Sequence, residues 1–166
     1  MCWMARARTA IDRGMTSHAP IGVAVVGYGL AGQTFHAPLI AATPGLTLTA
    51  VVSSRPEAVH ADLPDVAVLP NLDAALARDD IGLIVVATPD ALHAEQSIAA
   101  LKAGKSVVVD KPFAATLEQA EAVAAVAAEA PGVFSVFQNR RWDADFLTLR
   151  RLIDQGDLGE IAVFES

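Results

Sequence analysis

Lys111 stands two residues beyond the apolar run 106–109, between Asp110 and Pro112. An ammonium placed there, at the carboxyl edge of a sheet, can hydrogen-bond a reacting hydroxyl or carbonyl and stabilise negative charge developing on oxygen. A lysine in a strand-to-helix loop is more often merely solvated, so the assignment depends on its surroundings. The most informative of these lies upstream, where Gly27-Tyr28-Gly29-Leu30-Ala31-Gly32 follows the apolar run Ile21–Val26. Gly27 permits a sharp turn off the strand, Gly29 lets a pyrophosphate approach the backbone, and Gly32 lets the next helix pack on the sheet. The free N–H groups and positive dipole end of that helix attract phosphates. A plain tight turn is the competing reading. The apolar strand before the glycines and the helical stretch after them favour a dinucleotide site.

Ser53, Ser54 and Arg55 follow a second apolar run, about 20 residues past the glycines, where an acidic residue would bind the ribose 2′-hydroxyl of NAD. Two hydroxyls and a guanidinium suit a 2′-phosphate instead, which favours NADP while leaving NAD open. The alternative is an ordinary polar loop in an NAD enzyme, with Arg55 stacked on adenine. Thr88, Pro89 and His93 follow a further apolar run, and taken alone His93 would more often cap a helix or pack. His36 reads as packing against the cofactor loop or as surface. Asn139, Arg140 and Trp142 could line a polyol pocket, with amide and guanidinium bonding hydroxyls and the ring stacking on a sugar face. The alternative is a junction cluster with Asp143 and Asp145 as salt-bridge partners, which suits Arg141 better, while the pocket suits Arg140.

The elements that must hold these residues alternate. Apolar runs at 21–26, 46–52, 66–69, 81–87, 106–109 and 133–137 read as strands, and the lack of polar alternation in 81–87 fits a parallel strand covered on both faces. Helices are expected at 33–42, 72–77, 91–103 (closed by Gly104) and from a Thr116/Gln119 capping box to Pro131-Gly132. Such alternation predicts right-handed βαβ units and a doubly wound parallel α/β sheet, with ligands outside the carboxyl ends of the strands. Beyond it, 140–155 reads as a helix, 156–159 as a turn and 161–164 as one more strand. The expected division is a disordered extension over 1–19, with Met1 or Met15 as the start, a dinucleotide-binding domain over 20–138 and the opening of a second α/β domain over 139–166. A strand at 161–164 without partners would leave Val163 and Phe164 bare, so the chain is expected to aggregate, to pair through that strand, or to need a further segment.

Composition narrows the class. The chain has 166 residues, 53% of them hydrophobic, and a formal charge of -7. The acidic balance argues against nucleic acid as a partner. No stretch reaches the roughly 18 to 20 apolar residues of a membrane span. Cys2 is the single cysteine, so neither an internal disulfide nor a multi-cysteine metal site is possible, which fits a reducing cytoplasm. No metal site is expected.

Four segments together resemble the glucose-fructose oxidoreductase, inositol dehydrogenase and rhizopine catabolism (Gfo/Idh/MocA) family over about residues 20–166. They are the glycine turn with His36-Ala37-Pro38; Ser53-Ser54-Arg55-Pro56; Thr88-Pro89-Asp90-Ala91-Leu92-His93; and Ala103-Gly104-Lys105 leading to Asp110-Lys111-Pro112. The run from Asn139 to Thr148 is most similar to the NADP-dependent scyllo-inositol dehydrogenase branch. The resemblance implies a Rossmann domain followed by a C-terminal α/β domain that serves substrate binding and homo-oligomerisation. It also implies hydride transfer between a nicotinamide cofactor and a polyol, inositol or sugar-derived substrate. It further implies cofactor contacts from Gly27 through Gly32, Ser53 to Arg55, Thr88, Pro89, His93, Asp110, Lys111 and Pro112. Asp110 replaces the family's usual glutamate and keeps the carboxylate. The family's second catalytic group, a histidine often preceded by aspartate, has no match here, since His18 and His60 lie in unsuitable contexts. A non-enzymatic dinucleotide-binding module is therefore the main alternative. A methyltransferase-like nucleotide fold is a weaker one, because it gives Asp110-Lys111-Pro112 no purpose.

Overall fold

The computed structural model describes residues 19–165, so the expected N-terminal extension, apart from Ala19, lies outside the described residues. Six strands, β1 (Ile21–Val26), β2 (Leu46–Val52), β3 (Ala67–Leu69), β4 (Leu83–Val86), β5 (Ser106–Val109) and β6 (Phe134–Val136), form one sheet in the order β3-β2-β1-β4-β5-β6. Every pairing is parallel. All six strands therefore end at the same edge, and the chain reverses its direction of travel across the sheet between β1 and β4. That reversal opens the crevice in which such sheets place ligands.

Both faces of the sheet are covered, and the strand sequences show it. Alternate residues of β1 go to opposite layers: Ala24 and Val26 join Val52, Ile84, Val86 and Val107 on one side, while Val23 and Val25 pack with Val51, Val59 and Val85 on the other. Polar residues would be costly on either face, which is why the central strands read as unbroken Val and Ile runs.

The helices are α1 (Ala37–Ala42), α2 (Pro56–Asp62), α3 (Leu72–Leu76), α4 (His93–Lys102), α5 (Leu117–Glu129) and α6 (Ala144–Asp154). A π-wound turn over Gly32–His36 leads into α1, and α5 starts at the expected capping box: Thr116 Oγ1 accepts from Gln119 N, and Gln119 Oε1 accepts from Ala115 N.

Three expectations need correction. Helix α2 was not expected; Pro56 supplies the fixed φ of a helical first turn, and Val59 is its one fully buried anchor. The helix expected over 140–155 is divided: a 3₁₀ turn covers Asn139–Trp142, Asp143 is extended at ψ 144°, and α6 then begins. No strand forms over 161–164. Residues 161–165 are irregular and exposed, because no strand of the described residues lies beside them to take up their hydrogen bonds. The turn at 156–159 does form, with Gly156 and Gly159 at positive φ.

Candidate dinucleotide groove

At the reversal point the chain ends of β1, β2, β3 and β4 surround an open groove of about 600 Å³. Its floor is the glycine turn. A Cβ on Gly32 would lie 2.2 Å from the Gly27 carbonyl oxygen, and one on Gly27 would lie 2.6 Å from that of Ala87. Gly27 also has φ +98°, a conformation L side chains avoid. Both glycines therefore permit backbone to pack on backbone. Gly29 differs: a Cβ there would meet nothing within 4 Å, so the turn presents bare, accessible backbone to the groove. That is the cradle a pyrophosphate requires.

The wall nearest β2 carries Ser53, Ser54 and Arg55. Ser53 N donates to Leu69 O (3.1 Å) and Ser53 Oγ accepts from Arg55 N (3.1 Å), which fixes the loop. The Arg55 guanidinium donates to Tyr28 O (3.1 Å) across the glycine turn, leaving its other N–H groups free of protein acceptors among the described residues. Among the described residues, Arg55 is the one charged residue lining the groove, and no carboxylate does so. Tyr28 is buried; its hydroxyl donates to Asp62 Oδ2 (3.2 Å), which also accepts from Gln33 Nε2 (2.6 Å). Burial, followed by the hydrogen bond and charge of Asp62, pushes the Tyr28 hydroxyl above its ordinary pKa. This network ties the glycine turn to the end of α2.

Thr88 and Pro89 form the opposite wall with Ala87 and Gln96, and Thr88 Oγ1 donates to Gln96 Oε1 (2.7 Å). Sequence reasoning missed Gln96 and the lining segment Pro70, Asn71 and Leu72. A signal existed for the latter: Asn71 caps α3, accepting from Ala74 N, and a capped turn directly after a strand lies at the ligand edge.

Other expected site residues lie elsewhere. Leu30 and Ala31 do not line the groove, and Leu30 points to solvent. His93 is 2% exposed and both of its ring nitrogens face backbone carbonyls, so it braces loops and does not line the groove. Asp110, Lys111 and Pro112 follow β5, outside the groove walls but on the same sheet edge. Asp110 Oδ1 accepts from the Lys111 backbone N–H (3.0 Å), and Lys111 itself is exposed. Beneath this loop, His36 is buried with its ring 4.4 Å from that of Phe137, and its Nε2 lies 3.7 Å from Asp110 Oδ2 without a hydrogen-bond partner. Burial lowers the His36 pKa, and the neighbouring Asp110 carboxylate only partly opposes this.

Asn139, Arg140 and Trp142 do not converge. Asn139 and Trp142 border a hollow of about 450 Å³ with Leu39, Val108 and Phe137. Arg140 borders a different one of about 640 Å³ with Asp145, Phe146 and Phe164, and its guanidinium donates to Asp143 Oδ2 (2.8 Å). That ion pair matches the junction-cluster reading of the segment.

A parallel sheet in this order, with a glycine-floored crevice at its switch point, defines a dinucleotide-binding Rossmann domain. The chain belongs to the GFO_IDH_MocA family of oxidoreductases with an NAD-binding Rossmann fold, whose pattern matches residues 21–138. It is 51% identical over 146 residues to the uncharacterized oxidoreductase YdgJ of Escherichia coli strain K12, covering 88% of this chain and 42% of that protein. It is 40% identical over 145 residues to scyllo-inositol 2-dehydrogenase (NADP(+)) IolW of Bacillus subtilis strain 168, covering 87% and 40% respectively. A crystal structure of an oxidoreductase from Klebsiella pneumoniae superposes with a TM-score of 0.82 at 48% identity, covering 86% of this chain and 41% of that one. The chain thus spans about two fifths of the length of these relatives.

Proposed function

We propose that the chain is the cofactor-binding part of an NADP(H)-dependent oxidoreductase acting on a polyol, inositol or sugar-derived substrate. The observation that carries the cofactor preference is the wall of the groove after β2. It offers Ser53, Ser54 and an Arg55 free to donate, and among the described residues it holds no carboxylate to repel a 2′-phosphate. Likeness to a scyllo-inositol 2-dehydrogenase (NADP(+)) supports the same choice and the substrate class.

In this reading the glycine turn and the Gly29 backbone hold the pyrophosphate, Thr88 and Pro89 flank the ribose and nicotinamide side, and Pro112 shapes the pocket beside them. When bound, the nicotinamide supplies a hydride acceptor or donor. Lys111 orients the reacting oxygen and stabilises charge on it, its backbone N–H bonded to Asp110 Oδ1. Asn139, Arg140 and Trp142 are assigned to the substrate side. Residues 139–166 begin a second domain in this scheme, which would supply the proton-accepting histidine and the homo-oligomeric contacts. The reading places the protein in the cytoplasm.

Titrating the purified chain with NADPH and with NADH, followed by nicotinamide fluorescence, tests the cofactor assignment. Tighter binding of NADPH is expected, and equal or weaker binding of NADPH would overturn it. In a protein that also carries the remainder of the second domain, Lys111→Ala is expected to leave NADPH affinity nearly unchanged while polyol-dependent NADP reduction disappears. Undiminished reduction in that variant would remove Lys111 from the chemistry.

A further inference from the structure

We propose that His93 is a positioning residue that couples the dinucleotide groove to the Lys111 loop. The inference rests on the roles given above to the groove and to Lys111. His93 opens α4 and is buried, with Nε2 2.7 Å from Thr88 O and Nδ1 2.7 Å from Pro112 O. Thr88 lines the groove, and Pro112 is bonded to Lys111. One ring therefore spans the loops that leave two neighbouring strands, β4 and β5.

The surroundings make this bridge a distinct link. Among the described residues, the strands' backbone hydrogen bonds reach only the first residue of each loop, Ala87 N donating to Val26 O (2.9 Å) and Asp110 N to Val86 O (2.9 Å), while Phe113 adds an edge-on contact with Phe134 of β6 (5.9 Å). Beyond these, the Thr88 carbonyl and the Pro112 carbonyl meet the same imidazole. One turn further along α4, Gln96 accepts from Thr88 Oγ1; a ring with one N–H donates to one of the two carbonyls, and both are held together when both ring nitrogens carry a proton. A planar ring of fixed width joining two carbonyls resists a change in their separation. A displacement of Thr88 by a bound dinucleotide is thereby passed to Pro112 and the adjoining Lys111, which is coupling through a packed and hydrogen-bonded element.

The test uses the 166-residue chain and NADPH as probe. Backbone amide shifts at Gly27, Thr88, Lys111 and Phe113 are recorded with and without NADPH, together with carbonyl carbon shifts at Thr88 and Pro112, in wild type, His93→Leu and His93→Asn. Expected for wild type is a response at all four amides. In His93→Leu the response at Lys111 and Phe113 should fall by about fivefold or more while that at Gly27 and Thr88 persists. An unchanged Lys111 response in a cooperatively melting His93→Leu would overturn the proposal. If that variant does not fold, His93→Asn decides: its amide reaches only the Nδ1 position, so the Pro112 carbonyl signal should stay, the Thr88 carbonyl signal should move and the Lys111 response should drop. Persistence of that response in His93→Asn would overturn the proposal equally. If wild type fails to bind NADPH, the cofactor reading falls. The bridge is then judged on the carbonyl shifts alone, and their insensitivity to both substitutions would refute it. A general structural role would lower the melting temperature without separating the two loops' responses.

Discussion

The groove between β1, β2 and β4 and the segment after β6 were both marked as functional by their residues, yet they are physically opposite. The groove is assembled from strand ends whose backbones are locked in parallel register, over a floor where glycines replace clashes of 2.2 and 2.6 Å. Its polar residues are held by fixed partners, as Arg55 is by Tyr28 O and Thr88 by Gln96. The segment after β6 has good residue types but no such frame. Trp142 is 76% exposed, Arg140 is spent on Asp143, and the apolar Val163 and Phe164 face solvent. A site depends on what lies behind its side chains as much as on which side chains it has.

Glycine substitutions test this contrast most severely. Gly32→Ala should destabilise the chain by about 3 kcal/mol, the upper end of overpacking costs, because the new methyl meets rigid backbone. Gly29→Ala should change stability by less than about 0.5 kcal/mol, since its Cβ meets nothing, and should weaken NADPH binding. Thermal melts of the two variants alongside the NADPH titration separate a glycine needed by the fold from one needed by the ligand. Equal melting temperatures would break the distinction.

Arg55→Ala should cost about 1.5 to 3 kcal/mol of NADPH binding, the range for a hydrogen bond to a charged group, and leave NADH binding nearly unchanged. Matching losses for the two cofactors would show that Arg55 supports the groove without reading the 2′-phosphate.

His36 gives a smaller, pH-dependent effect. Burial lowers its pKa in the folded chain, so the unfolded chain binds the proton more readily. Its contribution to stability is therefore fully present above the unfolded value of about 6.5 and is lost as the pH falls through that value towards the lower folded one. Denaturant midpoints of wild type and His36→Phe should show a shallower acid slope in the variant, and parallel slopes would contradict the assignment. The smallest effect belongs to the segment after β6: Phe164→Asp should shift stability by less than about 0.5 kcal/mol, as judged by melting. A large loss would mean that the segment is framed after all.

Much of the fold was legible in local pattern. The six strands, the capping box before α5 and the glycine turn all follow from short-range chemistry, since an apolar run without alternation has no exposed face to display. Helix α2 escaped because seven residues with a single buried anchor carry almost no periodic signal. The strand expected at 161–164 failed for the opposite reason: strand propensity reports a side chain's fit to a sheet, and no neighbouring strand completes one there. Gln96 and Pro70 were missed because nothing in the sequence near them announces a ligand, whereas Asn71 carried a signal in its capping position directly after a strand.

The sequence by itself determined that this chain makes a covered parallel sheet with a phosphate-ready turn, because glycine spacing and Val-rich runs act over a few residues. Only the tertiary structure decided which loops meet. Strand order brings the ends of β1, β2, β3 and β4 around one groove and leaves Lys111 beside it after β5. It also converts His93 from a candidate cofactor contact into a bridge between carbonyls 24 residues apart in the chain, at Thr88 and Pro112. Contacts over that separation depend on the order in which strands pair, and no local run of residues encodes that order.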